Sequence, residues 1–463
     1  MDGDLAPDLL SDLPLSIIEI ILGLLPVRDA VSTSILSRKW RYHWASLPQL
    51  IFDDKCVKFS PDKVVVENRL IKFVTHALLL HKGPIHKFEI RAPLLQNCPD
   101  IDQWLLFLSR NDVRELTVEL GEGEWFRVPS CLFSCRKLTV LELCRCELDP
   151  PPDFGGFLCL KTLNLNQVLV TPEAFECLIS SCPVLEKLTL SYYDGLDLNI
   201  HAPNLKYLCL EGEFKELCLE NTPVLEVVSI TLYMNIDDGM EHFEQSSGCN
   251  FVKFLGGVPN LERIIGHVYF TKYLSIGIDH WKPPLPYTNL KFIELYQVSF
   301  EDMKEILVLL RLITNSPNLE DLQISVSHGD IWPLFECTSF IYIYACQLGR
   351  AHGLLGSSNT MVAFEAPDLD FWETECPSDC KFKQLKTVRM TDLCGAPHEM
   401  RLIKFLLENS PVLGSMTIAP CIYITEVKLD MLIELVSFRR ASSLATIKFL
   451  PGDDGIPVFI GQE

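Results

Sequence analysis

Basic residues are scarce in this 463-residue chain: 40 Lys and Arg stand against 61 Asp and Glu, a formal charge of −21. Sequence-independent binding to nucleic acid works by neutralising phosphates and releasing counterions, so this deficit argues against DNA and RNA as partners. Long apolar runs are missing as well. The most apolar late stretch, CTSFIYIYAC at residues 337–346, is about half of a bilayer span and is closed by Glu336 and Gln347, so no membrane anchor is expected. There is no low-complexity tract either, and 48% hydrophobic with 22% charged residues describes a chain that folds throughout. The beginning carries Asp2, Asp4, Asp8 and Asp12 where a secretory signal peptide would be positive, so no export signal is read.

Catalytic motifs are absent in the same way. PHEMRL, at residues 397–402, lacks the second His of H-E-x-x-H, no G-x-x-x-x-G-K-[ST] occurs, and no Ser, His and Asp arrangement announces itself, so no enzyme is expected. The 18 cysteines, in a chain without an export signal, read as reduced core residues. Cys131 with Cys135 and Cys376 with Cys380 are C-x3-C pairs without a second pair to complete a tetrahedral site, so neither metal nor cofactor is expected.

What the chain does have is self-similarity: an aliphatic residue followed by others three and five places on. Clear copies are CPVLEKLTL, APNLKYLCL, TPVLEVVSI, SPNLEDLQI and SPVLGSMTI. Starts at 85, 113, 138, 160, 185, 205, 225, 261, 290, 319, 385 and 413 give steps of 28, 25, 22, 25, 20, 20, 36, 29, 29, 66 and 28. Most lie in or near the roughly 20–29 residues of leucine-rich repeats. The filler often reads as an amphipathic helix closed by Asn or Ser and then Pro, which stops a helix by steric clash and a missing N–H. Such units cannot bury their own apolar faces and must stack. The copy at Leu261 loses its last slot to Gly266, and the Asn or Cys expected three places after the last aliphatic is met at Cys146 and rarely elsewhere, so an irregular array is expected.

The segment LPLSIIEIILGLLPVRDAVSTSILSRKWRYHW, residues 13–44, is the densest apolar region. Leu13-Pro14 starts a helix with Ile17, Ile18, Ile21, Leu22 and Leu25 on one face, ended by Pro26; a second helix from Asp29 carries Val31, Ile35 and Leu36; a third region holds Trp40 and Trp44 beside Arg38. So short a segment cannot hide all of this internally, so an exposed docking face is expected.

These residues resemble an F-box: the LP opening, the DAV turn ending at Val31, TS-x-LS at 33–37, RKWR at 38–41 and LP-x-L-x-FDD at 47–54. The resemblance implies docking to a Skp-like adaptor, and through it to a cullin-RING ubiquitin ligase, by Leu13, Pro14, Ile17, Ile18, Ile21, Leu25, Pro26, Val31, Leu36, Arg38 and Trp40. The stretch 371–418, with LDMLIELVSFRRAS at 429–442, resembles the FBD domain of plant F-box proteins with leucine-rich repeats. The expected fold is therefore α/β: a three-helix F-box (9–54), an irregular leucine-rich solenoid with parallel strands (80–326) and an FBD domain that continues and caps it (366–450). Residues 327–365 have no repeat frame and read as an inserted segment, such as a splice product, or as a loop with a role.

The resemblance implies a non-catalytic, substrate-recognising subunit of a ubiquitin ligase, acting in the nucleus and/or cytoplasm. In leucine-rich repeats the residues between aliphatic slots face outward, and here they include Glu142, Asn164, Tyr207, Glu211, Glu294, Tyr296, Asp321 and Gln323. They outline a mixed, moderately acidic surface that favours a basic partner patch. Two alternatives stay open: a non-proteolytic scaffold, and a small-molecule receptor, which would require a dense Lys and Arg group that the repeats do not offer.

Overall fold

A computed structural model describes residues 13–36, 40–232, 258, 260–275, 286–327, 369–376, 380–421, 427–450 and 458–460. It divides into two units, Met1–Leu225 and Glu226–Glu463. The first begins with two short helices, each opened by proline. Pro14 precedes α1 (Leu15–Gly23) and accepts the Ile17 and Ile18 N–H groups at 3.0 and 3.1 Å; Pro26 precedes α2 (Val27–Ser32) and accepts those of Asp29 and Ala30 at 2.9 Å. Proline's fixed φ suits a helix entrance, so Pro26 opens α2; the first helix stops earlier, at Gly23. Short 3-10 turns at Thr33–Ile35 and His43–Ser46 follow, and a small core closes around Ile18, Leu22, Val27, Ala30, Trp40 and Trp44.

The rest of this unit is a parallel ladder: β1 (Gln49–Asp53), β2 (Lys87–Ala92), β3 (Glu115–Leu120), β4 (Phe126–Arg127), β5 (Val140–Glu147), β6 (Thr162–Leu169), β7 (Lys187–His201) and β8 (Tyr207–Glu220). Its order is β1-β2-β3-β5-β6-β7-β8, with β4 beside the end of β5. The crossovers hold α3 (Lys63–Leu80), α4 (Ile101–Ser109) and α5 (Pro172–Ser180). The aliphatic slots explain the register. Leu50, Phe88, Leu116, Leu141, Leu163, Leu188 and Leu208 pair strand to strand, as do Phe52, Ile90, Val118, Leu143, Leu165, Leu190 and Leu210, and every one is buried. The ladder thus starts at Leu47, Leu50 and Phe52, one rung before the start expected at Ile85. No helix separates β7 from β8: their 20-residue step is made by long strands paired from Lys187 and Tyr207 to His201 and Glu220.

The second unit repeats the plan with β9 (Val227–Leu232), β10 (Arg263–Gly266), α6 (Phe270–Ser275), β11 (Phe292–Ser299), α7 (Met303–Thr314), β12 (Asp321–Ser327), α8 (Leu369–Glu375), β13 (Thr387–Leu393), α9 (Pro397–Asn409), β14 (Ser415–Pro420), α10 (Val427–Ser437), β15 (Thr446–Phe449) and β16 (Val458–Ile460). Strands β9 to β15 pair in sequence order and in parallel, and β16 closes the edge antiparallel to β15. Val228, Ile264, Ile293, Leu322, Val388, Met416 and Ile447 form one buried row. Asp321 to Ser325 pair directly with Thr387 to Thr391, so the 66-residue step leaves the ladder unbroken. The inserted segment read at 327–365 lies, beyond Ser327, outside the described residues.

Two local devices recur. Two places after the last strand aliphatic, Arg145, Gln167, Tyr192, Gln297 and Asp392 have φ of 57, 51, 62, 59 and 61°, and Gly212 takes the same place. The left-handed residue bulges the strand, and the next residue turns inward: Cys146, Val168, Tyr193, Val298 and Leu393 are all buried. The slot expected to hold Asn or Cys is therefore mostly an apolar core position here. The Asn before the first aliphatic ties neighbouring turns: the Asn204 amide donates to the Pro183 carbonyl and that of Asn318 to the Thr288 carbonyl, each at 2.7 Å.

Candidate functional site

Two surfaces stand out, and α1 supplies the first. Ile18 and Leu22, four residues apart, face the core and are fully buried. Ile17, Ile20, Ile21 and Leu24 follow the i, i+3, i+4, i+7 spacing on another face, and of these Ile17, Ile20 and Leu24 are exposed. Leu24 and Ile35 are 81% and 88% exposed, and Ile17, Ile20 and Leu36 add to the exposed aliphatics in this short stretch of sequence. Of the residues expected at a docking face, Pro14, Ile17, Pro26 and Leu36 are exposed and Leu13, Ile21, Leu25 and Val31 half-buried. Ile18 and Trp40 are not on the surface, at 0% and 2% exposure: they form the core beneath it, because one helix stripe must anchor α1 to the body. Arg38 lies outside the described residues. Leu15, Ile20, Leu24, Ile35 and Tyr42 are exposed members that periodicity alone did not separate from core positions.

The second surface is the polar face of the parallel strands. In the first unit, Arg91 reaches across three strands, donating to Glu89 at 2.8 Å, Glu119 at 2.8 Å and Glu142 at 2.7 Å, while Lys87 sits 3.1 Å from Glu89 and 3.7 Å from Glu115. Burial pushes the Glu89 carboxyl up, but the hydrogen bonds from Arg91 and Lys87 outweigh it and hold it below the usual range. Two cations thus offset part of the charge of four carboxylates, which weakens the case for a basic partner patch there. Asn164 pairs alongside Glu142, and Tyr207 and Glu211 stand on the same face of β8.

In the second unit Glu294, Tyr296, Gln323 and Asp321 come together. Arg263 pairs with Glu294, the Tyr296 hydroxyl donates to Glu294 at 3.2 Å, and the Gln323 amide donates to the Tyr296 oxygen at 3.0 Å. The His267 ring stacks on Tyr296 at 4.9 Å and 6°. Burial pushes the Asp321 carboxyl up, opposed by the Arg389 guanidinium. Arg91, Arg263, His267 and Arg389 are surface residues the sequence reading missed, although Arg389 occupies the same between-slot position as Glu294 and Gln323 and was there to be read.

An F-box domain profile matches residues 10–52, an FBD profile residues 373–418, and the repeat profile described as FBD-associated F-box protein At5g56370, LRR repeats, residues 101–324. The chain is 52% identical over 445 residues to the F-box/FBD/LRR-repeat protein At1g13570 of Arabidopsis thaliana, covering 96% of this chain and 99% of the relative. The chain belongs to the F-box/FBD/LRR-repeat family. It is similar also to the FBD-associated F-box protein At5g56370 (26% over 436 residues, 89% and 90% covered) and the F-box/FBD/LRR-repeat protein At5g56420 (29% over 347 residues, 69% and 78% covered), both from the same plant.

Seen with these matches, the exposed apolar face of α1 lies in the F-box, the outward residues of β3 to β11 belong to the leucine-rich repeats, and β13, α9 and the first part of β14 are FBD structure. Every cysteine among the described residues is a free thiol. Burial pushes Cys56 up to about 11 and Cys98 and Cys135 up to about 12, so these thiols stay protonated and poorly nucleophilic. Among the described residues no group of three His, Cys, Asp or Glu side chains could hold a metal ion, and no helix is long and apolar enough to cross a membrane.

Proposed function

We propose that this chain is the substrate-recognition subunit of a Skp-cullin-F-box ubiquitin ligase. Its F-box docks a Skp-like adaptor and its repeat and FBD face captures a protein substrate. The observation that carries the reading is the exposure of Ile17, Ile20 and Leu24 on one face of α1, together with Leu15, Ile35 and Leu36 nearby in the sequence, on an F-box body anchored by Ile18 and Trp40. A folded body that leaves six large aliphatics to water on one short segment is explained by a partner that covers them.

In this role the chain supplies no chemistry of its own. It holds the substrate near the ubiquitin-transferring subunits, a proximity effect that alone lowers a barrier by several kcal/mol. The proposal places the chain in the nucleus and/or cytoplasm, where its thiols stay reduced. The test is co-purification of the full-length chain with a plant Skp-like adaptor, beside a Leu24→Asp, Ile35→Asp variant. Binding by the wild type and loss by the folded variant support the reading; a folded wild type that does not bind overturns it.

A further inference from the structure

In a chain of net charge −21, the outward face of β13, β14 and β15 departs from the overall balance. Its residues are Thr387, Arg389 and Thr391, then Ser415, Thr417 and Ala419, then Thr446 and Lys448. Those positions hold five hydroxyls, two cations and no acid. The one carboxylate within the three strands, Asp392 at the bulge, already accepts from the Ser325 and Thr391 hydroxyls at 2.7 and 2.9 Å.

Arg389 and Lys448 lie in one register row, Gln323–Arg389–Thr417–Lys448. Among the described residues neither makes an ion pair or hydrogen bond, whereas Arg91, Arg263, Lys87 and Lys386 all do. Arg389 is exposed and Lys448 half-exposed. Two strand spacings put their backbones about 10 Å apart, with the Thr417 hydroxyl between them. Side chains on one face of an extended peptide recur about every 7 Å, a gap that the long Arg and Lys stems bridge.

We propose that this FBD strand face binds an acidic, extended segment of the substrate, with Arg389 and Lys448 each taking a carboxylate and Thr417 donating between them. The inference rests on the reading that the repeat face captures substrate, and it names the chemistry of what is captured. It reverses, for this part of the strand face, the preference for a basic partner that the outward residues from Glu142 to Gln323 suggested. In the first unit Arg91 and Lys87 are already engaged by carboxylates, whereas here neither cation is in an ion pair, and Arg389 feels the Asp321 carboxyl only through space.

The test is fluorescence anisotropy of the full-length chain with labelled ten-residue peptides in three versions: Glu alternating with Ser, the same with Gln for Glu, and the same with Lys. Variants are Arg389→Glu with Lys448→Glu, the milder Arg389→Gln with Lys448→Gln, and Lys187→Glu on the first unit's strand face as a charge control. Expected are preference for the Glu peptide, loss of at least about tenfold in affinity with either double variant, little change with Lys187→Glu, and weakening with salt. Equal binding of Glu and Gln peptides, no binding of the Glu peptide, or an equal loss with Lys187→Glu overturns the proposal. Adaptor co-purification is scored on the same preparations. A double variant that keeps the adaptor and loses the peptide separates the two functions. A chain that binds the peptide and no adaptor overturns the ligase reading, with the strand-face site still supported.

Discussion

Gly266 and Phe270 occupy one core position between them: a Cβ on Gly266 would stand 2.0 Å from Cδ1 of the Phe270 ring. The row that runs Ile230, Leu295, Ile324, Met390 and Ile418 along the second unit lacks its aliphatic at Gly266, and Phe270, from the first turn of α6, fills the gap while staying buried. The irregular copy of the repeat is therefore complete in three dimensions, with the missing side chain supplied four residues downstream.

Gly266→Ala should accordingly destabilise by about 1–3 kcal/mol through overpacking, and Phe270→Ala by about 3–5 kcal/mol through the cavity it leaves. The informative variant is the pair Gly266→Leu, Phe270→Ala, which restores a Leu to the row. Urea unfolding should show it to be less destabilised than the sum of its single changes. Additive losses would mean that the two residues do not share a site.

The F-box residues divide into core and face, and the two classes should fail differently. Trp40→Ala removes a buried ring and should cost about 3–5 kcal/mol, with adaptor binding lost through unfolding. Ile35→Ala, at 88% exposure, should leave the urea midpoint of the free chain nearly unchanged while weakening adaptor binding. Equal thermal destabilisation by both would contradict the division.

That division also marks where sequence is informative and where it stops. The strand frame was legible because Leu188 and Leu190 or Met416 and Ile418 must share one buried face, and a period of two with a leading aliphatic leaves a repeated trace. The rung at Leu47, Leu50 and Phe52 carries the same trace but also completes the F-box motif, and one reading hid the other. Ile17 and Ile18 are chemically indistinguishable; only the packing of α1 sends one to solvent and the other to the core. Among the surface residues, Glu294, Tyr296 and Gln323 were found from the frame. Their cationic neighbours Arg263 and Arg389 come from different repeats and meet only through the register.

The left-handed bulge row offers a backbone test. Gln297 holds φ 59° without glycine's freedom, a conformation that costs a non-glycine residue about 1–2 kcal/mol and a β-branched one more. Gln297→Gly should be close to neutral, relief of strain offsetting the greater entropy of the unfolded chain, whereas Gln297→Val should lose about 1–2 kcal/mol. Matching losses for Gly and Val in chemical denaturation would show that the side chain of Gln297, and not its backbone, matters there.

Glu399 gives the pH dependence a definite sign. It is buried in the first turn of α9 and accepts N–H bonds from Cys394, Gly395 and Ala396 at 3.0, 2.8 and 3.1 Å. Burial pushes its carboxyl up to about 7, although the three N–H donors pull the other way. A carboxyl whose folded value is raised holds its proton more tightly in the folded state. Its contribution to stability is therefore full below the unfolded value, near 4.5, and is lost as pH rises through about 7. Relative to Glu399→Gln, which cannot titrate, the wild type should lose on the order of 3 kcal/mol between about pH 4 and pH 8. Urea midpoints of the two proteins across that range should draw apart in that direction. A constant difference would show that the three backbone donors keep Glu399 ionised throughout, with their hydrogen bonds outweighing its burial.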